Sequence, residues 1–222
     1  WFDKNFDSGI NRLDNFPDID KYSIGSVKSA ILGTLIPSKI LLVDKTNLIT
    51  NIYRKMKEEN ISVLIDVEAF FKDFTSEQIA TELWNTFEGK RHIFFLDNKS
   101  EKFVFELNNN GRIGNPVKLE MKHLNDPDKI GGIYTQNKIV GIDIKLPIGT
   151  KFLCTFNKNS TLTNISQGIF RARKLNQSHF INFIYNEKFI QSDKQPDNLE
   201  KLYQLFTEND NQFKLRSKLY KN

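Results

Sequence analysis

The seven residues "ISVLIDV" (61–67) form a short, nearly continuous apolar run. A strand with one wet face would alternate, so a run like this is expected where both faces are buried, inside a parallel sheet. The neighbouring segments agree. "TSEQIATELWNTFEG" (75–89) opens with Thr75 and Gln78 in capping-box spacing, carries Ile79, Leu83 and Phe87 on one stripe, and ends at Gly89. "RHIFFLD" (91–97) reads as a strand, and the alternating "KFVFEL" (102–107) as its hairpin partner, closed through 98–100. "GGIYT", "VGIDIK" and "KFLCTF" (151–156) read as further short strands. "NISQGIFRARKL" (164–175) has the pattern of a helix, "HFINFIY" (179–185) of a strand, and 197–220 of a closing helix or helix pair. Alternation of strand and helix from 61 to 185 predicts an α/β fold, a mostly parallel sheet flanked by helices on both faces.

Upstream of this core, 1–22 reads as an irregular lead-in. Helical spacing follows at 23–36, stopped by Pro37, and again at 46–60 with Thr46 as the expected N-cap. The expected organisation is a helical N-terminal extension (1–60), an α/β domain (61–185) and a C-terminal helical segment (186–222). A chain that begins at Trp1 is expected to be a piece of a longer polypeptide. No apolar run approaches the roughly 20 residues needed to span a bilayer, so no membrane partner is expected. One cysteine, Cys154, leaves no internal disulfide and fits a reducing, cytoplasmic compartment. The net charge of +5 permits phosphate-bearing partners, but 27 acidic residues dilute it.

Arginine usage narrows the search. The chain holds seven Arg against 25 Lys, yet Arg171 and Arg173 stand one residue apart. Where lysine is the default cation, such a pair suggests a need for forked, planar donors. If 164–175 is a continuous helix, Ile165, Ile169 and Ala172 form its apolar stripe, with Gly168 and Leu175 at the edge. Gln167, Arg171 and Lys174 then share a polar stripe at i, i+4, i+7. Arg173 falls about 160° round from Arg171, so only one of the two is expected to touch a ligand first. A solvated basic face is the plainer reading of the same spacing.

Four motifs in order carry a resemblance: "LIDVEAF" (64–70), "IFFLD" (93–97), "GIDIKLP" (141–147) and "QGIFRARKL" (167–175). "GIDIKLP" followed by "TLTNISQGIFRARKLNQSHFINF" resembles motifs V and VI of superfamily-2 helicase-like ATPases. The Gly-x-Asp-Ile-Lys-Leu stretch is also similar to that of the SecA translocation ATPase. The whole series is most similar to a family of very large proteins, often labelled ubiquitin-hydrolase-like, that contain a helicase-like module. The resemblance covers about residues 60–185. It implies a RecA-like fold and the role of a second, C-terminal lobe that completes a nucleotide site held by an upstream lobe. It implies Gly141, Asp143 and Lys145 beside the nucleotide, Asp143 near the ribose or the coupling water. Gln167 becomes a γ-phosphate sensor, and Arg171 or Arg173 an arginine finger. Superfamily-2 spacing puts the finger seven residues after the glutamine, at Lys174, whereas the large-protein family puts it six after, at Arg173.

The chain departs from these patterns in several places. Glu68 replaces a glycine, Val140 replaces an arginine, the family's acidic pair before the Asp is missing, and no Gly-x-x-x-x-Gly-Lys-Ser/Thr loop occurs in the 222 residues. ATP with Mg²⁺ is therefore expected only as shared with the upstream lobe, and none as bound by this chain alone. The upstream lobe is the expected partner, with a protein or nucleic-acid partner beyond it. A non-catalytic interaction module of the same fold is one alternative, and nucleic-acid binding without hydrolysis is another. A thiol protease would use Cys154 with His179 or His123, although Cys154 alternates with Phe152 and Phe156 as a core residue does. A Mg²⁺-dependent nuclease would use Asp66, Asp97 and Asp143 with Lys145. No His or Cys lies at zinc-ligand spacing, and no metal site is expected.

Overall fold

The computed structural model describes residues 39–43, 46–89, 91–108, 112–139, 142–174, 178–186 and 196–219. The expectations for 1–22 and 23–36 lie outside these residues. Eight strands are described: β1 (Ile40–Val43), β2 (Val63–Ile65), β3 (His92–Leu96), β4 (Lys102–Phe105), β5 (Val117–Lys118), β6 (Ile130–Tyr134), β7 (Lys151–Thr155) and β8 (Phe180–Asn186). They make one sheet in the order β1-β8-β7-β2-β6-β3-β4-β5. Every pairing from β1 to β3 is parallel, and β4 and β5 add an antiparallel edge. The expected α/β class is what forms. β1 and the helix after it fall in the segment expected as an extension, and they supply an edge strand and a covering helix of the same sheet.

Four α-helices are described: α1 (Leu48–Glu58), α2 (Ser76–Thr86), α3 (Leu162–Ile169) and α4 (Leu199–Leu219). They cover opposite faces. Ile52, Met56, Ile79 and Leu83 of α1 and α2 pack with Leu64, Ile133 and Leu153 on one side. Ile165 and Ile169 of α3 and Leu202 and Phe206 of α4 pack with Ile65, Phe152 and Phe183 on the other. Adjacent residues of β2 thus feed opposite cores, which is why its sequence is apolar without alternation. All three residues of β2 are fully buried.

Local chemistry explains the ends of these helices. The capping box forms as expected: Thr75 Oγ1 accepts from the Gln78 N–H at 3.1 Å, and Gln78 Oε1 accepts from the Thr75 N–H at 2.8 Å. Thr46 is not the cap of α1. That position falls to Asn47, in the left-handed conformation at φ 59, while Asn51 Nδ2 reaches back to the Thr46 carbonyl. Asparagine tolerates this backbone better than threonine, whose branched Cβ clashes there. α3 ends at Ile169, and 170–174 form a turn, so the helix is shorter than expected.

The segment 142–147 forms no ladder, although it had the look of a strand. Ile142, Ile144 and Leu146 are buried while Asp143 and Lys145 are exposed, so the period of two is present without a paired neighbour. The chain must return here from the end of β6 to the start of β7, and it does so as an extended crossover laid on the α3 and α4 side of the sheet.

Gly131 and Gly132 of β6 admit large neighbours. A Cβ on Gly132 would lie 2.3 Å from the Phe94 ring. Gly132→Ala is expected to lower unfolding free energy by about 1–3 kcal/mol through overpacking, read from urea melts at unchanged m-value.

Candidate functional site

In a parallel sheet the natural crevice lies where two adjacent strands send their connections to opposite faces. β2 and β7 are such a pair: β2 leads to α2 and β7 to α3, across the sheet from one another. Two polar arrangements are found in this region, and the sequence foretold only one of them.

The foretold arrangement joins the two arginines to "GIDIKLP". Arg171 Nη1 donates to the Ile142 carbonyl. Arg173 Nε lies 3.3 Å from Asp143 Oδ1, and Lys102 Nζ donates to the Asp143 carbonyl at 2.6 Å. Lys102 opens β4, directly after the β3–β4 hairpin, so Asp143 sits at the end of the sheet where β3 finishes. Because α3 stops at Ile169, the arginines belong to the turn beyond it. The 160° separation expected of a continuous helix does not apply, and both side chains reach the same crossover.

Their environments differ. Arg171 is 7% exposed and its Nε has no hydrogen-bond partner. Burial, and then the charge of Arg173, pulls its guanidinium below the usual arginine range. The side chain of Arg173 is a third exposed. Buried Tyr134 lies beside this pair, its phenol pushed up by desolvation. Lys145 and Lys174 are exposed, and the half-buried Gln167 has no side-chain hydrogen bond among the described residues. Gly141 lies outside the described residues. The structure therefore brings Asp143, Arg171 and Arg173 together, and shows no contact from Lys145, Gln167 or the Lys174 side chain to them.

The second arrangement occupies the crevice itself. Asp66, the residue after β2, is almost fully buried. Its Oδ1 accepts from the Phe70 N–H at 3.0 Å and from Thr155 Oγ1 at 2.9 Å, and its Oδ2 from the Phe71 N–H at 3.1 Å. Glu68 accepts from Ser160 Oγ at 2.6 Å and from Asn157 Nδ2. Desolvation holds both carboxyls above the ordinary range, opposed by these hydrogen bonds. Directly after Glu68, Ala69 adopts φ 53, a left-handed backbone that a residue with a Cβ enters at a cost. α3 presses close to this strand end because Gly168 has no side chain; a Cβ there would lie 2.7 Å from Val67. Sequence reading named Asp66 only as a metal-ligand candidate and noted Glu68 only as a departure. The usable signal was a carboxylate ending a fully buried strand, together with the Asn- and Ser-rich "FNKNS" before α3.

The rival chemistries meet specific obstacles. Cys154 is fully buried and burial pushes its thiol well up, against formation of a thiolate. The β7–β8 register sets Cys154 opposite Phe183, away from His179, and His123 is paired with Glu106 at 2.7 Å. Asp97 closes the β3–β4 hairpin through the Lys99 and Glu101 N–H groups, and no group of three or more His, Cys, Asp or Glu suited to a metal occurs among the described residues. A cleft of about 410 Å³ lined by Lys57, Asn60, Phe87, Glu88, Arg91 and Asp128 lies at the opposite end of the sheet, before β2 and β3. It contains none of the foretold residues. No helix among the described residues is long and apolar enough to cross a membrane. No protein-family model, curated protein or solved structure matches this chain.

Two outcomes follow from these geometries. Asp66→Ala leaves the Phe70 and Phe71 N–H groups and the Thr155 hydroxyl without their acceptor, and is expected to cost about 3 kcal/mol in chemical melts. His179 gives a pH dependence. Its Nδ1 accepts from the Lys174 N–H at 3.3 Å and its Nε2 faces the Pro147 carbonyl at 3.1 Å, so a second proton would set donor against donor. Burial lowers its pKa, which means the unfolded chain takes up the proton first. Its contribution is complete above the ordinary histidine value of about 6.5 and is lost as pH falls below it. The buried carboxyls act in the opposite sense in more acidic solution. Comparison with His179→Gln isolates the histidine: between pH 7.5 and 5.5, as round test values of about one unit either side of that pKa, the wild type should lose more melting temperature than the variant.

Proposed function

We propose that the chain is the second lobe of a helicase-like ATPase module, in which Arg171 and Arg173 face the phosphoryl group of an ATP held, with its Mg²⁺, by an upstream lobe. Arg171 carries this reading. It is a guanidinium 7% exposed that bonds the Ile142 carbonyl and whose Nε has no partner among the described residues. A buried cation with donors unused is costly until an anion completes it. The planar fork of arginine suits a phosphoryl group, and charge-assisted bonds to one are strong. Arg173 sits in a weaker hold: its partner Asp143 is half-exposed, and an incoming phosphate would compete for it.

The crevice of this chain supports a nucleotide held elsewhere. Asp66 and Glu68 fill the end of β2, where a phosphate-binding sheet would carry a backbone cradle, and two carboxyls repel a phosphate. Asp143 then serves as the resting partner that keeps Arg173 extended until nucleotide arrives. A second reading, an interaction module of the same fold without catalysis, draws on that same ion pair, because Arg173 and Lys102 close the Asp143 loop with no ligand required.

Turnover by the two-lobe polypeptide separates the readings. Arg173→Ala and Arg171→Lys are each expected to lower kcat by about 100-fold or more, as loss of a charge-stabilising donor does. Arg173→Ala should leave the melting temperature within about 2 °C of the wild type, since a part-exposed ion pair contributes little. Wild-type turnover in Arg173→Ala, or a two-lobe polypeptide with no ATPase activity, would overturn the proposal in favour of the interaction module.

A further inference from the structure

The crevice network does not end at Glu68. Ser160 Oγ, which donates to Glu68, also accepts from the Asn157 N–H at 2.8 Å, and this β7–α3 loop is gripped from its far side by α4. Asn209 Nδ2 donates to the Lys158 and Ser160 carbonyls, both at 2.9 Å. Asp210, itself buried, accepts from Thr163 Oγ1 at 2.8 Å and from the Thr163 N–H at 3.4 Å, at the start of α3. Lys214 then pairs with Asp210 at 2.9 Å. Beyond that point α4 leaves the domain surface: residues 211–216 are all exposed, with Phe213 and Leu215 about two-thirds so.

We infer that α4 is a control helix, coupled through Asn209, Asp210 and the β7–α3 loop to the Glu68 and Asp66 loop at the crevice, so that displacing its projecting end loosens the crevice loop. Three observations converge on this. The linkage is continuous from Asp66 through Thr155 to Glu68, and through Ser160 to Asn209, with Asp210 gripping Thr163 beside it. The crevice loop is poised, because the left-handed Ala69 lies between Glu68, bonded to Ser160, and the Phe70 and Phe71 N–H groups, bonded to Asp66. α4 rests on the sheet through Leu202 and Phe206 and grips the loop through the polar groups of Asn209 and Asp210, so a shift at its far end would be felt first at those bonds.

Amide exchange on the whole chain tests the inference. In Asn209→Ala/Asp210→Ala the amides of 69–74 should exchange about tenfold faster or more, as a loosened local unit does. Coupling is reciprocal, so Glu68→Ala should speed exchange across 208–213 to a similar degree. A merely local role would confine the first effect to 157–165 and leave α4 untouched in the second, and that result overturns the inference. Should the double variant fail to fold, single substitutions at Glu68 and Asn209 form a double-mutant cycle in urea. Unfolding constants that deviate from additivity by about threefold or more support coupling, and additive ones overturn it.

Discussion

Burial of β2 on both faces is the constraint from which the remaining architecture follows. Val63, Leu64 and Ile65 have no solvent exposure; Val63 and Ile65 need apolar partners from one layer and Leu64 from the other. Parallel neighbours on either side, β6 and β7, satisfy the backbone, and helices from both directions satisfy the side chains. Once these layers are in place polarity can begin only at the ends of the strand, with Ser62 before it and a carboxylate after it. That carboxylate, of Asp66, is unable to reach bulk water and organises the loop that follows by collecting backbone N–H groups. The crevice is thus polar because the strand before it is so completely apolar.

Much of the fold was legible because its signals are local. The capping box at Thr75, the hairpin between β3 and β4, and the unalternating run of β2 each follow from a few adjacent residues. The errors occurred where tertiary contacts override a local pattern. "GIDIKLP" alternates as a strand would, yet its described residues 142–147 lie in the crossover from β6 to β7, packed on the core without a ladder. α3 stops at Ile169 although 170–175 is compatible with helix, because the chain turns there and sends Arg171 and Arg173 to the crossover.

The candidate site was legible in a different way. That Asp143, Arg171 and Arg173 belong together came from motif order, and the structure joins them directly. The reason lies in geometry that spacing cannot give: two side chains pointing apart on an ideal helix converge when the helix ends before them. The crevice network went unseen because Asp66, Glu68, Thr155, Asn157 and Ser160 are about 90 residues apart in sequence and carry no shared pattern.

The unpaired crossover has a bearing on how this surface changes over time. In a laddered strand an outward residue also answers to its cross-strand neighbours, so altering it disturbs the pairing register. Asp143 and Lys145 have no such neighbours, while Ile142, Ile144 and Leu146 anchor the segment from beneath. Lys145 is therefore free to drift in charge and size while the core underneath stays fixed, whereas Asp143 is tied to Arg173. Change at Lys145 can accumulate at little cost to folding.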